Sequence, residues 1–152
     1  MIEPRAQTLR FQGAANAVIQ ALLRVPLLSR LAGRRLIVID VVGRTSGKTY
    51  RVPVAYTPHE GALLVGTPFP WGRNLRTGEP VTILLKGRRT AADVVVYTDE
   101  ADVAKAYEIM ARDNPQFAGF NKIRRDQHGV PDPYDIHLAW EAGARAFRLT
   151  PA

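Results

Sequence analysis

The sequence contains no cysteine and only three histidines in a chain of 152 residues. The lack of cysteine excludes disulfide bonds, thiolate metal sites and cysteine nucleophiles. No two of His59, His128 and His137 have the spacing of metal ligands, so each is interpreted as a surface or loop histidine. We therefore expect no metal site.

Long apolar runs are also missing from this chain. No stretch of the sequence is long and apolar enough to span a bilayer as a helix. The first residues, MIEPRAQTLRFQ, lack the apolar core and the cleavage site of a signal peptide. The length suits one domain over residues 1–152, and we expect that domain to be cytoplasmic.

Acidic residues are scarce in the first third of the chain. Residues 1–51 contain nine basic and two acidic residues, and the rest contains twelve of each, so the net charge of +7 lies in the first third. This excess predicts an anionic partner, which could be nucleic acid, a membrane surface or a polyanionic small molecule; a solvated basic face is the alternative. Nucleic acid is disfavoured, because the sequence has no recognition-helix pattern and no interleaved aromatic and basic surface.

Residues 14–32 have the pattern of an amphipathic helix near the N-terminus. Asn16, Gln20 and Arg24 form a narrow polar stripe, and Pro26 should kink or divide the helix. Such a helix could pack against its own domain, which we favour. It could also make a peripheral contact with an anionic membrane through its arginines.

Short β-branched runs joined by polar turns follow this helix. Turns that contain Gly47 and Gly61 predict consecutive antiparallel hairpins, and Pro53 inside the second run predicts an edge strand or a bulge. The predicted strands are 36–43, 50–57, 62–67, 81–86, 91–98 and 144–150, with the turn GRRT (87–90) between the fourth and the fifth.

Helical patterns occupy the second half of the chain. Residues 99–113 form the clearest one, a second begins at Asp132 and ends at Gly143, and the segment between them is interpreted as a linker. Residues 68–80 are predicted to form a rigid loop with one helical turn. This order of elements favours an α+β fold with an antiparallel barrel and one or two helices after the N-terminal one, and disfavours alternating β-α-β units.

The stretch GRTSGKT (43–49) comes within one residue of a phosphate-binding P-loop. Three residues separate Gly43 from Gly47 where a P-loop has four, and a strand pattern with Pro53 follows where a P-loop needs a helix. The residue types nevertheless suit an anion, because cations, hydroxyl groups and a flexible glycine occur together. These residues are Arg44, Thr45, Ser46, Gly47 and Lys48. A plain basic hairpin turn is the alternative.

The order of these motifs resembles the deazaflavin-dependent nitroreductase family of actinobacteria. The resemblance rests on the strand, the GRTSGK turn, the strand with Pro53, and the later WGRNL (71–75), and it extends from about residue 16 to the final RLTP. It implies an antiparallel split β-barrel of the FMN-binding, pyridoxamine-phosphate-oxidase-like kind. It also implies that coenzyme F420 binds with its phosphate and acidic tail at the basic turn. The cofactor-binding residues that it implies are Arg44, Thr45, Ser46, Gly47, Lys48, Arg51, Pro53, Trp71 and Asn74.

This chain departs from the family pattern at three places. Thr45 stands where the family has a second basic residue, and Tyr50 replaces an arginine, although Arg51 is adjacent. The loop that begins at Thr67 and Pro68 is shorter than in the family and lacks its lysine. These departures leave the cofactor open between F420 and FMN. Trp71 could border the ring of the cofactor or be an ordinary core aromatic residue.

The resemblance implies hydride transfer from a reduced deazaflavin to a small acceptor such as a quinone, a nitro compound or an enone. Thr67, Tyr56 and Arg73 are the candidates to hydrogen-bond the oxygen of the acceptor. The apolar and basic N-terminal helix suggests a lipid-soluble quinone. An FMN-dependent split-barrel oxidoreductase and a non-catalytic protein that binds a cofactor or lipid are the alternatives. The sequence is compatible with a monomer and with a homodimer.

Overall fold

The structure, a computed structural model, describes residues 36–43 and 46–152. The predicted helix 14–32, its proposed membrane contact, and Arg44 and Thr45 lie outside the described residues. Among the described residues, no helix has the length and apolar character needed to cross a bilayer.

Seven antiparallel strands form a single sheet. The strands are β1 Leu36–Val42, β2 Thr49–Ala55, β3 Thr57–His59, β4 Ala62–Thr67, β5 Val81–Leu85, β6 Arg88–Tyr97 and β7 Arg145–Pro151. Their order across the sheet is β2-β1-β5-β6-β7-β4-β3. The strands at the two borders, β2 and β3, are consecutive in the chain and are separated only by Tyr56. Because one residue joins the two borders, the sheet must curl until they meet, which produces the predicted barrel.

The helices are one 3-10 helix and three α-helices in the part of the chain that the structure describes. They are the 3-10 helix Pro70–Asn74, α1 Glu100–Asp113, α2 Pro115–Phe120 and α3 Pro133–Glu141. Side-chain oxygens cap all three α-helices: Asp99 accepts from Asp102 N, Asn114 from Gln116 N and Phe117 N, and Asp132 from Tyr134 N. These bonds satisfy amide groups that have no partner inside the helix, which explains where each helix begins.

Two apolar cores lie on opposite faces of the sheet. The inner core fills the barrel with side chains that alternate along the strands, such as Ile37, Ile39 and Val41 of β1. The outer core lies between the sheet and the three α-helices and is built around Tyr107 and Met110 of α1. Packing here is tight: a Cβ added at Gly66 of β4 would lie 2.6 Å from Cε1 of Tyr107. Only glycine lets α1 approach the sheet so closely.

Several expectations from the sequence are confirmed. The antiparallel α+β arrangement, the helix beginning after Asp99 and the helical turn at 70–74 are all present. Gly47 and Gly61 have positive φ angles of 69° and 77°. Pro53 lies in β2 at the border of the described sheet, where a missing N–H breaks no pairing on the outer side.

The turn predicted at GRRT was wrong. The hairpin between β5 and β6 turns at Lys86 and Gly87, with φ angles of 50° and 80°, and Arg88 already pairs with Leu85. Two consecutive positive φ angles make a two-residue turn whose twist matches that of the strands. Part of the predicted turn, Arg88–Thr90, therefore belongs to β6.

Two further expectations need correction. The segment after α1 is not a plain linker, because Asn114 and Pro115 begin the short helix α2, so three α-helices follow the strands where one or two were expected. The strand predicted at 50–57 ends at Ala55, and β3 forms the hairpin with β4. The bend at Tyr56 moves the chain from pairing with β1 to pairing with β4.

Candidate functional site

The turn between β1 and β2 is held by its own hydrogen bonds. Gly43 N donates to Lys48 O at 2.8 Å, and Gly47 N donates to Gly43 O at 3.0 Å. Lys48 N donates to Ser46 Oγ at 3.2 Å. The amide groups of Gly47 and Lys48 are thus already bonded within the turn. An anion at this turn would be bound mainly by side chains.

Cationic side chains at this turn are open to solvent. Ser46 and Lys48 are exposed, and the side chain of Arg51 is 66% exposed. Asp40 of β1 lies opposite Arg51 in the register, and their side chains approach to 3.9 Å. Asp40 also accepts a hydrogen bond from Arg89 of β6 at 2.5 Å. This carboxylate reduces the positive potential beside the turn, and no sequence motif indicates it.

The strand pairing places the 3-10 helix Pro70–Asn74 at the same end of the barrel as the turn. The turn follows the end of β1, and the pairs Ile39–Ile83 and Val81–Ala92 bring the start of β5 and the second half of β6 toward that end. The start of β7 and the end of β4 lie there too, because Tyr97 pairs with Ala146 and Thr67 with Arg145. The 3-10 helix, which begins shortly after β4, contacts β1. Both sequence motifs are therefore at one end of the barrel.

Trp71 is part of the inner core. It is 9% exposed, and its ring stacks on Phe147 with the centroids 6.2 Å apart and the planes inclined by 23°. Gly72, the next residue, packs against the ring of Phe147 as well, since an added Cβ would lie 2.9 Å from Phe147 Cζ. This is the alternative role expected for Trp71, a core aromatic residue. Its contact with a cofactor ring stays a prediction.

The other predicted site residues occupy different environments at this end. Asn74 is half-buried, and Arg73 beside it is exposed. Thr67 is 3% exposed, and its Oγ1 accepts a hydrogen bond from Phe69 N at 3.0 Å. Tyr56 is 3% exposed and belongs to the inner core. The structure tests none of their proposed roles, but it makes Arg73 and Asn74 the most accessible of the four.

Pro53 and His137 belong neither to the β1–β2 turn nor to the 3-10 helix. Pro53 is buried in the middle of β2, opposite Val38. His137 of α3 is bonded to Glu100 and lies 2.9 Å from Glu141. Over residues 36–43 and 46–152, no group of histidine and acidic side chains could hold a metal ion.

Comparison with models of known protein families gives no match for this sequence, and comparison with curated proteins gives none either. Solved structures do match. The heme storage protein HutZ from Vibrio cholerae is 12% identical, with a TM-score of 0.51 over 84% of this chain and 89% of HutZ. The fold is a split β-barrel. A pyridoxamine 5'-phosphate oxidase-related, FMN-binding protein from Nostoc punctiforme is 15% identical, with a TM-score of 0.48 over 95% of this chain and 82% of that protein.

Identities this low establish a shared fold and nothing about shared ligands. The split barrel expected from the sequence is therefore confirmed. The resemblance to deazaflavin-dependent nitroreductases, and the actinobacterial origin that it implies, stay predictions.

Proposed function

We propose that this protein binds a flavin-type redox cofactor at the end of the barrel formed by residues 43–48 and the 3-10 helix Pro70–Asn74. The observation that carries this proposal is the pair of solvent-exposed cations, Lys48 and Arg51, beside the hydroxyl of Ser46. They lie at the same end of a split barrel as Asn74 and Arg73. A cofactor with a phosphate at one end and a polar ring at the other could place its phosphate at Lys48 and Arg51 and its ring at Asn74.

The donor set at the turn fits a phosphate. An ammonium, a guanidinium and a hydroxyl group can each donate to phosphate oxygens, and charge-assisted bonds of this kind are the stronger ones. Arg44 adds a second guanidinium in the sequence of the same turn. Recognition through side chains is consistent with the internal bonding of the Gly47 and Lys48 amides.

FMN is the first candidate for the cofactor, because some split-barrel proteins bind FMN. FMN also carries a single phosphate group, which Lys48 and Arg51 could bind without further cations. Coenzyme F420 is the second candidate. Its support is the order of the motifs GRTSGK and WGRNL and the excess of positive charge in residues 1–51, which suits an acidic tail. Both cofactors combine a tricyclic ring with a phosphate-bearing side chain, so the same turn could hold either.

The proposed activity is an oxidoreductase that passes hydride to a small organic acceptor. A flavin or deazaflavin supplies the hydride chemistry when it is bound, so the protein needs no acid-base pair of its own. The chain's contribution is to fix the ring and exclude water. Trp71, stacked on Phe147, holds the 3-10 helix against the inner core and so fixes the backbone that carries Arg73 and Asn74.

Among the acceptor-side candidates, Arg73 is the best placed to reach a molecule arriving from solvent, since its side chain is exposed. Thr67 is buried and uses its oxygen within the loop, so it would act by holding Phe69 in position. Quinone, nitro and enone acceptors all carry an oxygen that a guanidinium can bind. A lipid-soluble quinone is part of this proposal, together with the predicted membrane contact of residues 14–32.

The first test is a titration of the full chain with FMN and, in parallel, with coenzyme F420, followed by the change in cofactor fluorescence. We expect Lys48→Ala and Arg51→Ala each to weaken binding of the preferred cofactor by about tenfold, because each removes one charge-assisted contact. Arg88→Ala is the matched control. It removes the same charge from an exposed residue of β6 next to the hairpin at the opposite end of the barrel, and it should leave the affinity unchanged.

Failure of both cofactors to bind, or equal binding by Lys48→Ala, Arg51→Ala and the unmodified chain, would refute the proposed site. A second assay measures oxidation of the reduced cofactor, bound to the protein, by menadione or by a nitroaromatic compound. Tight binding without turnover of either acceptor would remove the oxidoreductase and leave the alternative, a non-catalytic cofactor-binding protein.

A further inference from the structure

A small cavity lies on the other face of the sheet, between the sheet and α1. Its volume is about 140 Å³, and its walls come from the β3–β4 hairpin, the end of β6, β7 and α1. Tyr97, Lys105 and Arg148 are among the residues that line it. None of these residues belongs to the β1–β2 turn or to the 3-10 helix, so this inference does not rest on the proposed function.

Arg148 is the central residue of this cavity. It lies in β7 between Leu64 of β4 and Val95 of β6, so it stands in the middle of the sheet and not at a border. It is half-buried, and its side chain makes no hydrogen bond or ion pair within the described part of the chain. A guanidinium that is partly removed from water without an acceptor loses solvation energy that nothing repays. Its guanidinium is therefore available to donate to a water molecule or an anion in the cavity.

Two more donors face the same space. Lys105 extends from α1, and Tyr97 is at the end of β6. Neither the ammonium of Lys105 nor the hydroxyl of Tyr97 forms a hydrogen bond or an ion pair with the residues that the structure describes. The cavity thus combines an ammonium, a guanidinium and a phenolic hydroxyl, a set of donors that suits an oxyanion.

Acidic residues that line the cavity already have partners. A hydrogen bond between Asp102 and Asp99, followed by the charge of Asp99, raises the pKa of Asp102. The charge of nearby Lys105 lowers this pKa, but by less. Glu60 lies 3.7 Å from Nε2 of His59. Neither carboxylate forms an ion pair with Lys105 or Arg148 among the described residues. Two basic and two acidic side chains thus line the cavity, and the two basic ones, Lys105 and Arg148, have no ion pair within the described structure.

We propose that this cavity binds a small oxyanion, a carboxylate or a phosphate group, between Arg148, Lys105 and the hydroxyl of Tyr97. A volume of about 140 Å³ is several times that of one liquid water molecule, about 30 Å³, which is enough for inorganic phosphate or acetate. The site lies between α1 and the sheet, so an anion there would contact α1, β6 and β7 together.

The test is a nuclear magnetic resonance titration of the ¹⁵N-labelled full chain with sodium phosphate and, separately, sodium acetate at constant ionic strength. We expect saturable shifts of the amide signals of Tyr97, Ala106 and Arg148 with at least one anion. The anion that binds more tightly identifies the preferred head group. Shifts confined to residues 46–51 would instead report binding at the β1–β2 turn and would overturn this proposal without affecting the proposed function.

Matched variants make the test specific. Arg148→Gln and Lys105→Gln should each weaken binding by about tenfold. Arg112→Gln is the control, because Arg112 lies on the same helix but is paired with Glu108 and does not line the cavity. Lys105 is exposed on α1, so its replacement tests the proposal even if Arg148→Gln does not fold. Unchanged affinity in Lys105→Gln and in the folded Arg148→Gln variant, or no saturable shift with either anion, would overturn the proposal.

Discussion

Asp135, buried near the start of α3, accepts three hydrogen bonds from Arg124 in the preceding loop. Its Oδ2 binds the backbone N and the Nε of Arg124, both at 2.9 Å, and its Oδ1 binds a terminal guanidinium nitrogen at 3.2 Å. The side chain of Arg124 is 75% exposed, whereas that of Asp135 is 6% exposed. One buried carboxylate thus holds both the backbone and the side chain of the loop that leads into α3.

Replacement of Asp135 by asparagine should destabilise the protein. The amide keeps the shape of the carboxylate but offers one acceptor oxygen, so a donor of Arg124 loses its partner. We expect the free energy of unfolding in urea to fall by about 1–3 kcal/mol. Asp93→Asn, at an exposed position of β6, is the control and should change it by less than about 0.5 kcal/mol. Equal effects of the two substitutions would contradict this account of Asp135.

Replacement of Tyr107 by phenylalanine should leave the protein as stable as before or make it more stable. The Tyr107 hydroxyl is buried in the outer core and has no hydrogen-bond partner within the described structure. Burial also raises the pKa of this hydroxyl, so it stays neutral throughout the physiological range. Loss of an unsatisfied polar group from an apolar core should raise the free energy of unfolding by up to about 1 kcal/mol.

The comparison for that variant is Tyr134→Phe, which removes the same hydroxyl from a residue that is 63% exposed and should have almost no effect. Thermal and urea unfolding both measure the difference. A clear loss of stability in Tyr107→Phe would mean that a water molecule binds this hydroxyl in solution.

Stability should depend on pH through His137. The hydrogen bond to Glu100 raises the pKa of His137 above the ordinary value of 6.5. Burial lowers this pKa, but the charges of Glu100 and Glu141 raise it further. The folded protein therefore holds the proton more tightly than the unfolded chain does. The resulting stabilisation is complete below the unfolded pKa and is lost as the pH rises through the higher folded pKa.

The melting temperature should accordingly fall as the pH rises from the unfolded pKa, about 6.5, through the higher folded pKa, and this fall should be smaller in His137→Gln. His128→Gln is the control, since His128 is exposed and contacts Gln127 and Asp126, not Glu100 or Glu141. Parallel pH profiles for the unmodified chain and His137→Gln would exclude this role. The groups that face His137 in the described structure are Glu100, Glu141 and the rings of Tyr134 and Trp140.

Replacement of Asp40 by asparagine should strengthen anion binding at the β1–β2 turn. Asp40 lies 3.9 Å from Arg51 and also pairs with Arg89, so removal of its charge leaves Arg51 more available to a phosphate. We expect a gain of about two- to fivefold in affinity for the cofactor at low salt, and less at high salt, because exposed charges are screened. Glu108→Gln on α1 removes a charge far from the turn and should have no such effect. An unchanged affinity at low salt would show that Asp40 does not limit the turn.

The sequence predicted the elements whose signals are local. The cap at Asp99 and the apolar stripe of α1 are visible in neighbouring residues, and both were located within one residue. The turn between β5 and β6 was misplaced because Lys86 at a positive φ angle has no strong local signature, whereas the GRRT that follows resembles a polar turn. Helix α2 was missed because six residues are too few to show a helical period.

The candidate site was predictable only in part. The basic residues of the turn are evident from the sequence, but the approach of Asp40 to Arg51 depends on strand register. Asp40 lies in β1, whereas Arg51 and Arg89 lie in β2 and β6. The burial of Trp71 likewise depends on Phe147, which lies far away in the chain. The cavity at Arg148 unites four elements, so no short motif could have indicated it.

Both border strands of the described sheet contain a proline. Pro53 lies in β2, and Pro58 lies in β3, which is only three residues long. A border strand that lacks an amide donor is a poor template for the strand of another molecule, so neither border favours sheet extension between copies. The segment that closes the barrel through Tyr56 thus also protects the protein against edge-to-edge aggregation. Concentrated solutions should remain free of β-rich assemblies for as long as residues 49–59 keep their pairing with β1 and β4.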